Sequence, residues 1–187
     1  MGLRWYDMRS FGIEGKGWSG TKRPYARLPA KAEGVVREPV WQLAQHSAGL
    51  CVRFVTSAEA ISARWQLWSQ SLAMVHMPAT GVSGLDLYIK DPSRPKGKQY
   101  HWIGFGKPEK FPENKAELVG GLDGQPHEFI LYLPLYNGVE KVEIGINVEA
   151  DIEKAPARMV KPIAMYGTSI LHGGCASRPG MSLILPL

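Results

Sequence analysis

Cysteine is scarce in this 187-residue chain. Its two cysteines, Cys51 and Cys175, lie far apart and share no metal-ligand spacing, so no thiolate metal site is legible. Cys51 alternates with Arg53 in an apolar stretch and reads as a buried thiol. Long apolar runs are missing too: no stretch of eighteen such residues occurs, which excludes a transmembrane helix. The opening MGLRWYDMRSFGIEGKGW has no apolar core and no small-residue cleavage site. That points to a cytoplasmic protein or a trimmed exported form. Charge of one sign is weak, because 22 Lys and Arg face 17 Asp and Glu for a net +5. The densest basic cluster, Arg94, Lys96 and Lys98 in DPSRPKGK, has Pro and Gly between its charges. It reads as a solvated hairpin loop rather than a nucleic-acid stripe. No cofactor motif is present, and oligomeric state has no signature. Helical periodicity is also rare. Between residues 20 and 155 no segment holds a 3.6-residue period over three turns, and the nearest, PAKAEGVV, is interrupted by Gly34 and followed by Pro39.

What remains is alternation. In AISARWQLW, Ile61, Ala63, Trp65 and Leu67 fall on one face, with Ser62, Arg64 and Gln66 on the other. GLDLYIKD places Leu85, Leu87 and Ile89 inward and ends in Asp91-Pro92, a turn signal. YHWIGFG follows the basic loop, so residues 84–106 read as a hairpin. HEFILYLPLYNG turns Phe129, Leu131, Leu133 and Leu135 inward and reaches Asn137-Gly138, a hairpin dipeptide. VEKVEIGINVE answers with Val142, Ile144, Ile146 and Val148, and GLCVRFVTS adds a further strand. With 44% hydrophobic residues, 21 glycines and 14 prolines, these strands predict an all-β, antiparallel two-sheet sandwich of the jelly-roll kind over residues 1–155.

Near residue 150 the character changes. EADIEKAPARMVKP reads as a linker. The uniformly apolar IAMY after it has the pattern of a strand covered on both faces in a parallel sheet. It leads to Gly167-Thr168-Ser169, the way a strand-to-helix turn presents a serine nucleophile. The α/β-hydrolase elbow G-x-S-x-G fails, because position 171 is Leu. His172, three residues on, reads as an exposed loop histidine rather than the base of a Ser169–His172 dyad. His76, between methionines, reads as a partly buried, satisfied side chain. Asp86 falls on the polar face of its strand, either facing a neighbouring domain or bonding a nearby loop. Among six tryptophans, Trp65 reads as core, and Trp68 and Trp102 are the candidates for stacking on a sugar ring.

YGTSILHGGCASRPGM, residues 166–181, resembles the first motif block of the SGNH hydrolases, the GDSL-type esterases. SGLDLY (83–88) is similar to the G-x-D-L-Y signature of the domain preceding the esterase domain in one subgroup. GIEGKGW, RLPAKAEGVVREPVW, HMPATGVSG and YLPLYNGV fit the same subgroup. The resemblance implies that residues 156–187 are a linker and the first block of an α/β hydrolase domain. It implies that Ser169 is the nucleophile of acyl-ester hydrolysis, with carbohydrate deacetylation as the implied reaction and its own backbone N–H in the oxyanion hole. The family's further blocks supply a Gly, an Asn and Asp-x-x-His, and none is found in this sequence. MSLILPL would begin the next helix, but Pro186 intervenes, so the chain is expected to be truncated and inactive by itself. An ester or carbohydrate is the implied ligand. The alternative is a β-sandwich that stands alone as a carbohydrate- or partner-binding module.

Overall fold

The computed structural model describes residues 2–183. Residues 184–187, most of the stretch expected to open a further helix, lie outside the described residues. Ten strands run in chain order. They are β1 (Leu3–Asp7), β2 (Ile13–Glu14), β3 (Cys51–Thr56), β4 (Ala60–Leu67), β5 (Leu85–Lys90), β6 (Tyr100–Gly106), β7 (Glu113–Gly120), β8 (His127–Tyr132), β9 (Val139–Asn147) and β10 (Ile152–Lys154). Every ladder is antiparallel. One sheet has the order β1-β9-β4-β7, the other β10-β3-β8-β5-β6 with β2 also on β3. The fold is the two-sheet β-sandwich that alternation predicted.

Period-2 patterning decides which residues meet between the sheets. Ile61, Ala63, Trp65 and Leu67 of β4 face Leu85, Leu87, Phe129, Leu131 and the inward residues of β9, and all are buried. Phe54 stacks on Phe129 with centroids 5.5 Å apart. Trp65 Nε1 donates to the Ser83 carbonyl at 3.1 Å, so even the indole's polar atom is satisfied. The predicted β5–β6 hairpin is formed.

Three local expectations are overturned. Asn137-Gly138 does not close a hairpin, because β8 and β9 lie in opposite sheets. Neither residue takes the positive φ that such a turn requires. Instead Asn137 is wholly buried. Its amide nitrogen donates to the Ser69 carbonyl (2.9 Å) and Ser83 Oγ (3.0 Å), and its oxygen accepts from the Ser69 N–H at 3.0 Å. The dipeptide ties three loops together at a crossover. A short helix, α1 (Glu38–Ala44), also stands where no helical period was legible. It has Pro39 in its first turn, where the missing N–H costs nothing, and it buries only Trp41 and Ala44. Two turns are too short to display a period. Lastly, Val148 is exposed, since β9 has ended at Asn147.

Beneath the outer face of the second sheet, Arg53 is nearly buried. It bridges Glu14 (2.7 Å) and Glu128 (2.6 Å) and donates to the Pro156 carbonyl at 2.8 Å. Burial alone would lower its pKa, but the two carboxylates raise it overall. Arg53→Met strips the partner from two carboxylates, and an unfolding free energy lower by about 3 kcal/mol is expected. Chemical denaturation checks it, and a loss below about 0.5 kcal/mol would mean that the network behaves as an ordinary surface pair.

Candidate functional site

Ser169 opens α3 (Ser169–His172), a single helical turn with Thr168 in extended conformation at its start. Ser169 is exposed, and its hydroxyl makes no hydrogen bond among the described residues. Its carbonyl accepts from the Gly174 N–H at 2.8 Å, closing the turn beneath it. A Cβ at Gly167 would lie 2.9 Å from the Leu171 side chain, which would have to move aside for a larger residue.

The segment after Ser169 is seated on the sandwich by the motifs that carry the family resemblance. From HMPATGVSG, Thr80 Oγ1 donates to the Ser177 carbonyl at 2.7 Å. Gly81 leaves room for the Ala176 carbonyl, which a Cβ would meet at 2.2 Å. These two belong to α2 (Ala79–Val82) and its approach. From YLPLYNGV, the Leu135 carbonyl pairs with His172 Nε2 at 2.6 Å, and the Tyr136 ring lies 4.4 Å from the imidazole. From RLPAKAEGVVREPVW, Arg27 holds the Leu43 and His46 carbonyls at 2.7 and 3.0 Å and reaches His172 Nδ1 at 3.0 Å. From SGLDLY, Asp86 accepts from the Gly180 N–H at 2.9 Å and pairs with Arg178 at 3.4 Å. Tyr88 packs on Gly180 so closely that a Cβ would stand 2.4 Å from its ring.

His172 is therefore not an exposed loop histidine. It is buried with both ring nitrogens engaged. A guanidinium can only donate, so Nδ1 is the acceptor and Nε2 carries the proton given to Leu135. No lone pair remains for the Ser169 hydroxyl, and a Ser169–His172 dyad is excluded in this arrangement. Burial, then the charges of Arg27 and His46, push the His172 pKa down to about 3. His46, 5.6 Å away, is pushed down to about 4 by burial and Arg27. Both folded values lie below the ordinary histidine value, so the unfolded chain binds these protons more readily. Their contribution to stability is complete above about pH 6.5 and is lost as pH falls towards 4 and then 3. The thermal midpoint is expected to drop between pH 7 and 4, with His172→Gln flattening that drop; parallel curves for both proteins would overturn it.

Other candidates resolve differently. His76 is exposed at the tip of a turn closed by Met74 and Met77, not partly buried, because no strand of the sandwich covers that loop. Trp102 is 43% exposed, but Arg178 lies 4.7 Å over its ring and Phe105 stacks at 6.2 Å. Trp68 is half-buried under Arg23, at 4.3 Å. Cys51 is buried as expected, and burial pushes its thiol up to about 12. The IAMY run forms no strand: Ile163 and Tyr166 are 86% and 88% exposed. A strand needs at least one neighbouring strand to take up its backbone hydrogen bonds, and none of the described residues pairs with it. Among the described residues no group of three His, Cys, Asp or Glu could hold a metal, and no helix is long and apolar enough to cross a membrane.

Two family models match this chain. The family model for GxDLY, the N-terminus of SGNH-hydrolase-type esterases, matches residues 3–152. That for the GDSL-like lipase/acylhydrolase family matches residues 160–184. A crystal structure from Bacteroides ovatus, described as a GDSL-like lipase, superposes with a TM-score of 0.86 at 29% identity, covering 97% of this chain and 51% of that one. A salicylyl-acyltransferase from a tetracycline biosynthetic pathway shares the fold, with a TM-score of 0.64 at 18% identity, covering 95% of this chain and 49% of that one. The chain thus spans about half the length of either structure. No curated protein matches it.

Proposed function

Because the chain belongs to the GxDLY family, the N-terminus of SGNH-hydrolase-type esterases, we propose that Ser169 is the nucleophile of an acyl-ester hydrolase and that residues 1–155 form the domain that seats it. Residues 156–187 then carry the link and the first catalytic block. The observation that supports this reading most is the convergence of four separated sequence motifs on the segment that follows an exposed serine. A sandwich with no tie to the serine would need no such arrangement.

The hydroxyl gives its proton to a base as its oxygen bonds the acyl carbon, forming a tetrahedral oxyanion. Collapse breaks the ester C–O bond, the base returns the proton to the departing alkoxide, and water then hydrolyses the acyl-enzyme to the acid and free serine. The base that takes the serine proton is not His172, whose lone pair belongs to Arg27. No Asp-x-x-His occurs in the 187 residues. We therefore expect the chain alone to turn over p-nitrophenyl acetate no faster than its Ser169→Ala variant. Turnover that disappears in Ser169→Ala would overturn this. Joined in frame to the part of the Bacteroides ovatus protein that follows its own serine block, the chain should acquire an esterase activity abolished by Ser169→Ala. A folded chimera that stays silent would sink the nucleophile assignment. A small acyl group on a carbohydrate is the proposed ester. The free-standing sugar-binding reading is weaker, because Arg178 already lies over the Trp102 ring at 4.7 Å.

A further inference from the structure

Asp86 is the only carboxylate buried among the described residues, and it sits on the outer face of its sheet rather than in the core between sheets. Its neighbours Leu85 and Leu87 point into that core, so the alternation of β5 sends Asp86 and Tyr88 the other way. What covers Asp86 there is the serine segment. Asp86 Oδ2 accepts the Gly180 N–H at 2.9 Å, Arg178 approaches Oδ1 at 3.4 Å, and Gly180 lies against the Tyr88 ring. Arg178 itself extends over Trp102 of β6 at 4.7 Å.

An acid buried at this place is costly to the sandwich alone. Burial pushes its pKa up to about 6, against the opposing pull of the Gly180 N–H and Arg178. A hydrophobic residue at position 86 would serve β5 better if sheet stability were all that mattered. The acid has one partner that no apolar side chain can satisfy, the inward-pointing amide of Gly180.

We propose that Asp86 is a positioning residue for the serine nucleophile: it locks the Arg178–Gly180 turn onto the sandwich, while His172 locks the other end of the same loop. The loop from Gly173 to Met181 is thereby pinned at both ends, and α3 with Ser169 is held at one of those pins. This rests on the reading of Ser169 as the nucleophile, but the clamp itself does not involve the hydroxyl. It therefore exists or fails independently of catalysis.

The test uses the full chain and nuclear magnetic resonance. The Asp86 carboxyl carbon and the Gly180 amide nitrogen should titrate together with one midpoint near pH 6. The other groups around Asp86 are Arg178, Tyr88, Tyr132 and Cys51. Burial raises the pKa of Tyr88, Tyr132 and Cys51. In Asp86→Asn the Gly180 titration should vanish. Exchange of the Gly174, Ala176, Met181 and Ser182 amides should accelerate at least tenfold, while β4 and β9 amides stay unchanged. Arg178→Met, at a partly exposed site that the sandwich does not need, should give the same pattern at smaller amplitude. Ser169→Ala should leave the clamp intact. A Gly180 shift that ignores Asp86, or equal loosening of sheet and segment in both variants, would overturn the proposal. Failure of the esterase reading would instead leave these shifts in place and the chimera silent.

Discussion

Trp65→Ala is expected to lower the unfolding free energy by about 4 kcal/mol. Trp65 is 2% exposed and lies opposite Asn114 on β7 and Val142 on β9, so it touches the middle of the first sheet from both sides. Its ring also sits against Gly106 on β6, where a Cβ would come within 3.0 Å, so it spans the core to the second sheet. Truncation therefore leaves a cavity with rigid walls and removes the donor that satisfies the Ser83 carbonyl. For a chain of this size the thermal midpoint should fall by roughly 8–16 °C. Trp65→Phe keeps most of the volume and loses the hydrogen bond, so a cost of about 1–2 kcal/mol is expected. Calorimetry of both variants separates the two contributions. A Trp65→Ala loss no greater than that of Trp65→Phe would show that the cavity collapses or never forms.

Gly180→Ala is expected to release the serine segment while sparing the sandwich. The added methyl would stand 2.4 Å from both Cε2 and the hydroxyl of Tyr88, closer than any relaxed contact. Tyr88 cannot simply swing away, because it packs edge-on against Tyr132 with centroids 5.5 Å apart. The strained segment must lift instead, and lifting breaks the Gly180 bond to Asp86. Overpacking of this kind costs about 2 kcal/mol. Because the segment lies on the outside, that cost appears as local opening rather than global unfolding. Hydrogen exchange should quicken by roughly tenfold or more across residues 173–182, with the Trp65 strand unaffected. Adding Tyr88→Leu should restore protection, the signature of a pair in contact. Gly17→Ala, where nothing lies within 4 Å, is the matched control and should be silent. If Gly180→Ala leaves the segment as protected as before, the close approach to Tyr88 does not exist in solution.

The strands were legible because alternation is local. Ile61, Ala63, Trp65 and Leu67 announce a buried face through their spacing alone, and the structure buries all four. The pairing of those strands was not legible. Asn137-Gly138 carries the letters of a hairpin, yet its flanking strands belong to different sheets, and the asparagine serves a buried network instead. A turn dipeptide states what the backbone can do, not which strand comes next. Helix α1 escaped for another reason: seven residues with a proline at the start contain less than two full periods.

The site shows the same split. Ser169 and its glycine-rich surroundings could be found from residues 166–181, and alternation put Asp86 on the polar face of its strand. That Asp86 and the segment after Ser169 belong together could not be found, since 94 residues separate Asp86 from Gly180. His172 departs from its local pattern for the same reason. Nothing in LHGG says that a carbonyl 37 residues earlier and an arginine 145 residues earlier will claim both of its nitrogens.

By itself, then, the sequence determined a β-sandwich, a serine presented after an apolar run, and the family to which both belong. Tertiary structure alone decided which side chains those motifs bring together. Alternation points Asp86 and Tyr88 out of the core, and only the three-dimensional return of residues 178–180 explains why an acid is worth burying there. The physical reason is range: spacing along a chain encodes faces, whereas hydrogen bonds between distant segments depend on a closure that no local pattern records.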